Sequence, residues 1–166
     1  KEEDTFLDPF CGYGSIPLQR ALSAPYKRIF AIDYDSEKMR IVKQKMKSEI
    51  INNRNQSFFT KQLDSLNLQS FESNFFDKIV TDPPWGLFDD VGMDISEFYF
   101  LMLGEFDRVL KNEGNVVVLT ARKVEFESAL ERGDLTLKAQ KRYDILVSGK
   151  KAGVYKLVKT PGEHTR

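Results

Sequence analysis

Two acidic turns carry the residues of this chain that could do chemistry. The first lies in Thr5-Phe6-Leu7-Asp8-Pro9-Phe10-Cys11-Gly12-Tyr13-Gly14-Ser15-Ile16-Pro17, where a short apolar strand ends on a carboxylate and runs into a glycine-rich turn. Gly12 and Gly14 have no Cβ, so the backbone can bend sharply and approach a ligand, and the helix that follows offers free N–H groups to an anionic group. The pattern Gly12-x-Gly14-x-x-Pro17 is one glycine short of the dinucleotide fingerprint, which argues against a pyrophosphate cofactor. The second turn, Thr81-Asp82-Pro83-Pro84-Trp85-Gly86, follows an apolar run over Phe76 to Val80. It sets a second carboxylate beside two prolines that stiffen the backbone and a flat indole.

For these turns to serve one site, the strands before them must end on the same edge of one sheet. Arg28 to Ile32 reads as another strand and closes on Asp33-Tyr34-Asp35, with Asp33 25 residues after Asp8. That is close to the spacing at which a carboxylate reaches a ribose in nucleotide-binding βαβ units. A third strand around Ser57 to Lys61 leads into Gln62-Leu63-Asp64-Ser65, after a turn cluster at Asn52 to Asn55. Leu18, Ala21 and Leu22 keep helical spacing until Ser23-Ala24-Pro25, and Met39, Val42, Met46 and Ile50 form one stripe of a helix capped by Asp35 or Ser36 and running to about Ile51. Its lysines read as a solvated face.

Further on, Ile95 to Leu110 predicts a helix stopped by Lys111-Asn112-Glu113-Gly114, Asn115 to Thr120 a strand buried on both faces, and Val124 to Arg132 a last helix. Leu135 to Val147 and Ala152 to Lys159 read as two strands joined within residues 148–153, and the loop from Gly86 to Asp94 reads as long and mobile. Alternating strands and helices that close on a hairpin predict an α/β doubly wound sheet with one antiparallel strand at an edge.

With both turns in view, the pair Asp8-Pro-Phe-Cys-Gly-Tyr-Gly-Ser-Ile and Asp82-Pro-Pro-Trp-Gly resembles motifs I and IV of class I, Rossmann-like, S-adenosylmethionine-dependent methyltransferases that act on amino groups. It is most similar to the catalytic domains of THUMP-associated RNA guanosine-N2 methyltransferases. The resemblance implies a seven-stranded sheet in the order 3-2-1-4-5-7-6 with strand 7 antiparallel, and S-adenosylmethionine as cofactor. The cofactor-binding candidates are Asp8, Pro9, Phe10, Cys11, Gly12, Gly14, Asp33, Tyr34, Asp64, Ser65 and Asp82. Asp8 is expected to meet the ammonium directly or through water, the amides around Gly12 to Ser15 the carboxylate, Asp33 the ribose diol and Asp64 the adenine. The catalytic candidates are Asp82, Pro83, Pro84 and Trp85. Guanine's exocyclic amine is a poor nucleophile because its lone pair is conjugated into the ring. Acceptors at the Asp82 carboxylate and Pro83 carbonyl would turn that lone pair toward the methyl, Asp82 would take the shed proton, and Trp85 would stack on an extruded base. The alternatives are adenine-N6 methylation of DNA or RNA, for which the same corner is equally suited, a catalytically silent partner subunit, and a small-molecule methyltransferase.

Composition narrows the setting. A chain of 166 residues fits one domain over residues 1–166, and no apolar run approaches the roughly 20 residues needed to cross a bilayer. One cysteine, Cys11, and one histidine, His164, give no disulfide and no metal cluster, and point to a reducing, cytoplasmic setting. Cys11 reads as a small buried filler because no histidine stands by to activate it. With 25 basic and 25 acidic residues the formal charge is zero, which argues against unaided nucleic-acid binding, and Asp89, Asp90 and Asp94 would repel a phosphate backbone. RNA, as tRNA or rRNA, is therefore expected to be gripped through an additional upstream domain or a partner protein, with this chain as the catalytic fragment.

Overall fold

The computed structural model describes residues 1–49, 57–87, 90–133 and 135–160. The expected turn cluster at Asn52 to Asn55, the end of the second helix at Ile50 and Ile51, and Asp89 and His164 lie outside those residues.

Seven strands and four helices follow in the order β1 (Thr5–Asp8), α1 (Ser15–Ser23), β2 (Arg28–Asp33), α2 (Ser36–Glu49), β3 (Ser57–Gln62), β4 (Phe76–Thr81), α3 (Ile95–Val109), β5 (Leu110–Thr120), α4 (Lys123–Glu131), β6 (Leu137–Val147) and β7 (Lys150–Lys159). The sheet order is β3-β2-β1-β4-β5-β7-β6, the doubly wound order expected. Strands β1 to β5 pair in parallel, and β7 runs antiparallel to both β5 and β6. The antiparallel strand is thus the penultimate one, and β6 forms the edge.

Period-two alternation decides which layer each side chain joins. In β1 and β2, Leu7, Phe30 and Ile32 enter the large core beneath α3 and α4, while Phe6, Ile29 and Ala31 turn to the opposite face, where α1 and α2 pack. Met39, Val42 and Met46 of the α2 stripe are buried there. Asp35 caps α2 by accepting from the amides of Glu37 at 2.9 Å and Lys38 at 3.2 Å, so it, rather than Ser36, starts the helix. Asp94 does the same for α3 through Ser96 and Glu97.

Two boundaries and one burial pattern differ from expectation. Helix α3 ends at Val109, and Lys111-Asn112-Glu113-Gly114 is an excursion inside β5: pairing with β4 jumps from Phe76–Leu110 to Lys78–Asn115, and Glu113 takes φ 63°. The β6–β7 connection is the two residues Ser148 and Gly149, both with positive φ as a type I′ hairpin requires, so β7 starts at Lys150 rather than Ala152. Strand β5 is buried on one face only. Val116, Val118 and Thr120 are buried while Asn115, Val117 and Leu119 are half-exposed.

Candidate active site

Parallel β1, β2 and β4 all end on the same edge, and their last residues are Asp8, Asp33 and Thr81. The two acidic turns therefore adjoin. Thr81 donates its hydroxyl to Asp8 Oδ1 at 2.7 Å, and the Phe10 amide reaches the same oxygen at 3.3 Å. Asp8 is fully buried, and Oδ2 has no partner among the described residues. Burial pushes the Asp8 carboxyl up to about 7, with the nearby Asp82 and Asp33 charges adding to the rise and the Thr81 and Phe10 hydrogen bonds opposing it. A buried carboxylate with a bare oxygen at the mouth of a glycine turn fits a cationic group.

The two glycines of that turn do different work. Gly12, at φ 53°, has nothing within 4 Å of where a Cβ would stand, so its missing side chain faces open space. Gly14, at φ 85°, faces Val42 of α2, whose methyl would lie 3.1 Å from an added Cβ. Its smallness thus lets α1 and α2 approach. Asp33 holds the turn in place: Oδ2 accepts the Gly12 amide at 2.9 Å and Oδ1 the Asp35 amide at 3.0 Å. Each oxygen keeps a further lone pair, although the carboxylate is only 6% exposed. Tyr34, beside it, is 68% exposed, with its carbonyl anchored by Gln62 and Lys38 over its ring.

Asp64 is exposed and accepts the Leu66 amide at 2.9 Å through one oxygen. Ser65 is buried and donates its hydroxyl to the Pro9 carbonyl, tying the turn after β3 to the turn after β1. Phe10 packs against Phe98 of α3. Cys11 is buried, and desolvation together with the Asp8 and Asp33 charges pushes its thiol far up, which makes it a poor nucleophile and a good filler. Among the described residues no group of three or more histidine, cysteine, aspartate or glutamate residues could hold a metal, and no helix is long and apolar enough to cross a membrane.

At the second turn, the Trp85 indole N–H is shared between Asp82 Oδ1 at 3.0 Å and the Leu119 carbonyl at 3.3 Å. Asp82 Oδ2 and the Pro83 carbonyl meet no described donor. Partial desolvation raises the Asp82 carboxyl above the usual range, and the Trp85 bond opposes that rise. Arg122, unmarked by any sequence motif, clasps this corner from the β5–α4 junction. Its Nε donates to the Trp85 carbonyl at 3.1 Å and Nη2 to the Gly86 carbonyl at 3.4 Å, while Nη1 reaches Glu125 at 3.4 Å. Its own amide is held by Thr120 Oγ1, which also meets Tyr99 Oη at 2.7 Å. Asp90 and Asp94, expected to face a phosphate backbone, are occupied in a turn with Gly92 and in the α3 cap.

The seven-stranded sheet in this order, with its four helices, has the Rossmann-like fold of methyltransferase structures. The chain belongs to the UPF0020 family, the RMKL-like methyltransferase domain, which matches residues 1–150. It is 28% identical over 134 residues, 78% of each chain, to a probable tRNA (guanine(10)-N2)-dimethyltransferase of Methanothermococcus thermolithotrophicus. Its fold matches that of TrmN from Thermus thermophilus with a TM-score of 0.74 at 23% identity, covering 94% of this chain and 44% of that one. An rRNA methylase from Streptococcus thermophilus matches with a TM-score of 0.70 at 13% identity, covering 97% of this chain and 89% of that one.

Proposed function

We propose that this domain methylates the N2 amine of guanine in RNA, with tRNA the first substrate to test, using S-adenosylmethionine. The observation that carries the reading is the junction of the two turns: Asp8, with its bare buried oxygen, is bonded to Thr81, the residue before Asp82. The 28% identity to a probable tRNA (guanine-N2)-dimethyltransferase supports guanine as the base.

S-adenosylmethionine, when bound, supplies an electrophilic methyl on a sulfonium. Asp8 would hold its ammonium, and amides at the start of α1 its carboxylate. Asp33 and Asp64 retain acceptor capacity for the ribose and the adenine, and Tyr34 offers an exposed ring beside them. Asp82 Oδ2 and the Pro83 carbonyl would each accept a hydrogen of the guanine amine, directing the nitrogen lone pair at the methyl. An amine that gains a methyl must shed one proton, which the raised basicity of Asp82 would suit it to receive. Trp85 is tethered through its indole nitrogen, so its ring is a fixed wall against which a base can lie.

The test is transfer of isotopically labelled methyl from S-adenosylmethionine to unmodified tRNA transcripts, followed by nucleoside mass spectrometry. Label in N2-methylguanosine that disappears in Asp82→Ala is expected. Label in N6-methyladenosine, or none in any nucleoside, would overturn the assignment.

A further inference from the structure

The net charge of zero conceals a polar division of the chain. Residues 137–159 hold Lys138, Lys141, Arg142, Lys150, Lys151, Lys156 and Lys159 against the single carboxylate Asp144, so the hairpin β6–β7 carries a formal +6 and the rest of the chain −6. The register places part of this charge on one surface. Paired positions across β4, β5, β7 and β6 run Lys78–Asn115–Val158–Lys138 and, one step along, Val80–Val117–Lys156–Lys141. The next step is Leu119–Val154–Tyr143. All point away from the core beneath α3 and α4, because their neighbours Ile79, Val116, Tyr155 and Leu157 fill that core.

This face has two properties that together suit a nucleic-acid strand. Lys78, Lys138, Lys141 and Lys156 form no ion pair among the described residues, and none of the paired positions just named is acidic. Between the lysines lie the half-buried Val117 and Leu119, and Tyr143 is 56% exposed. The face is also continuous with the reactive corner. Leu119, whose carbonyl holds the Trp85 indole, lies two strands from Tyr143, about 10 Å at the usual strand spacing.

Resting on the RNA-methylation reading above, we propose that this sheet face docks single-stranded RNA beside the site, with Lys78, Lys138, Lys141 and Lys156 on its phosphates and a base stacked on Tyr143. Lysines on a sheet surface supply the salt-dependent, sequence-independent share of binding, and an exposed aromatic between them adds stacking. The domain thereby contributes its own grip on RNA.

The test is fluorescence anisotropy with a labelled, unstructured 20-nucleotide RNA, comparing the wild type with Lys138→Glu/Lys141→Glu/Lys156→Glu at several salt concentrations. The triple variant should bind at least ten-fold more weakly, with the slope of log K against log salt reduced by about 2, near 0.7 per lost phosphate contact. Tyr143→Ala should weaken binding about five-fold or more, and Lys43→Glu/Lys47→Glu on α2 should change nothing. If the triple variant loses its thermal transition, Lys141→Gln/Lys156→Gln replaces it. Wild-type RNA affinity in a folded variant would overturn the proposal, as happens if the face is covered by a protein segment or if its lysines only guard the edge strand. So would an absence of salt-dependent binding by the wild type. Calorimetry with S-adenosylmethionine separates the two readings: failed donor binding by the wild type removes the methyltransfer assignment but leaves the anisotropy result standing.

Discussion

Thr81 Oγ1 donates to Asp8 Oδ1 at 2.7 Å, joining the last residue of β4 to the last residue of β1 across 73 positions of sequence. This one bond makes the two acidic turns a single unit. It also holds down the pKa of a carboxyl that burial drives up to about 7. Thr81→Val removes the donor while keeping the shape. The Asp8 titration should then move higher, and S-adenosylmethionine affinity, followed by calorimetry, should need a higher pH to reach its plateau.

The same shift makes stability depend on pH with a definite sign. The folded chain keeps a proton on Asp8 that the unfolded chain releases above pH 3.8, so this contribution is fully present below that value and is lost as pH rises to about 7. It amounts to on the order of 4 kcal/mol. Thermal unfolding of the ligand-free protein should show a melting temperature that falls between pH 5 and 8. Asp8→Asn should flatten that fall, and a cationic ligand at Oδ2 should bind more tightly as pH rises through the same interval.

The two glycines of the first turn should fail differently. Gly14→Ala drives a Cβ into Val42 at a residue with φ 85°, so it should cost about 2 kcal/mol or more of stability, read by denaturant unfolding. Gly12→Ala meets no neighbour. It should cost only about 1 kcal/mol of backbone strain while abolishing S-adenosylmethionine binding.

Trp85→Phe keeps a flat ring and removes the N–H that Asp82 Oδ1 shares with the Leu119 carbonyl. A freed Asp82 should lower kcat about ten-fold or more with KM for RNA little changed. Trp85→Leu should raise that KM as well, because the ring is lost too.

Arg122→Ala releases the carbonyls of Trp85 and Gly86 together. We expect kcat to fall by about ten-fold or more with S-adenosylmethionine affinity intact, since the guanidinium bonds to the second turn and Glu125 and not to the first turn. Arg122→Lys, which supplies one donor in place of a fork, should recover part of the loss.

The strand order was implied by the resemblance to class I methyltransferases, whereas the shared edge was legible in the sequence because β1, β2 and β4 are short apolar runs ending on Asp8, Asp33 and Thr81-Asp82, and that pattern survives folding. The open turn at Gly12 was legible for the same reason. Contacts between side chains far apart along the chain were not. Nothing in the sequence distinguishes Gly14, which packs on Val42, from Gly12, which faces open space. Nothing marks Ser65 as the donor to Pro9 or Arg122 as the clasp on Trp85, since neither sits in a recurrent pattern. The Lys111 to Gly114 segment misled because glycine after a helix usually means a stop, whereas here pairing with β4 resumes beyond it. Net charge hid the polar division of the chain because it averages over a hairpin whose sign is opposite to that of the rest.

Strand β7 returns antiparallel, so Lys159 emerges beside Leu137 at the margin where β1 also begins with Thr5, while Asp8 and Asp82 lie at the far margin. The start of β1 and the end of β7 therefore share the margin opposite the two acidic turns. Whatever approaches Asp8 and Asp82 meets a margin that neither the first residue of β1 nor the last residue of β7 reaches.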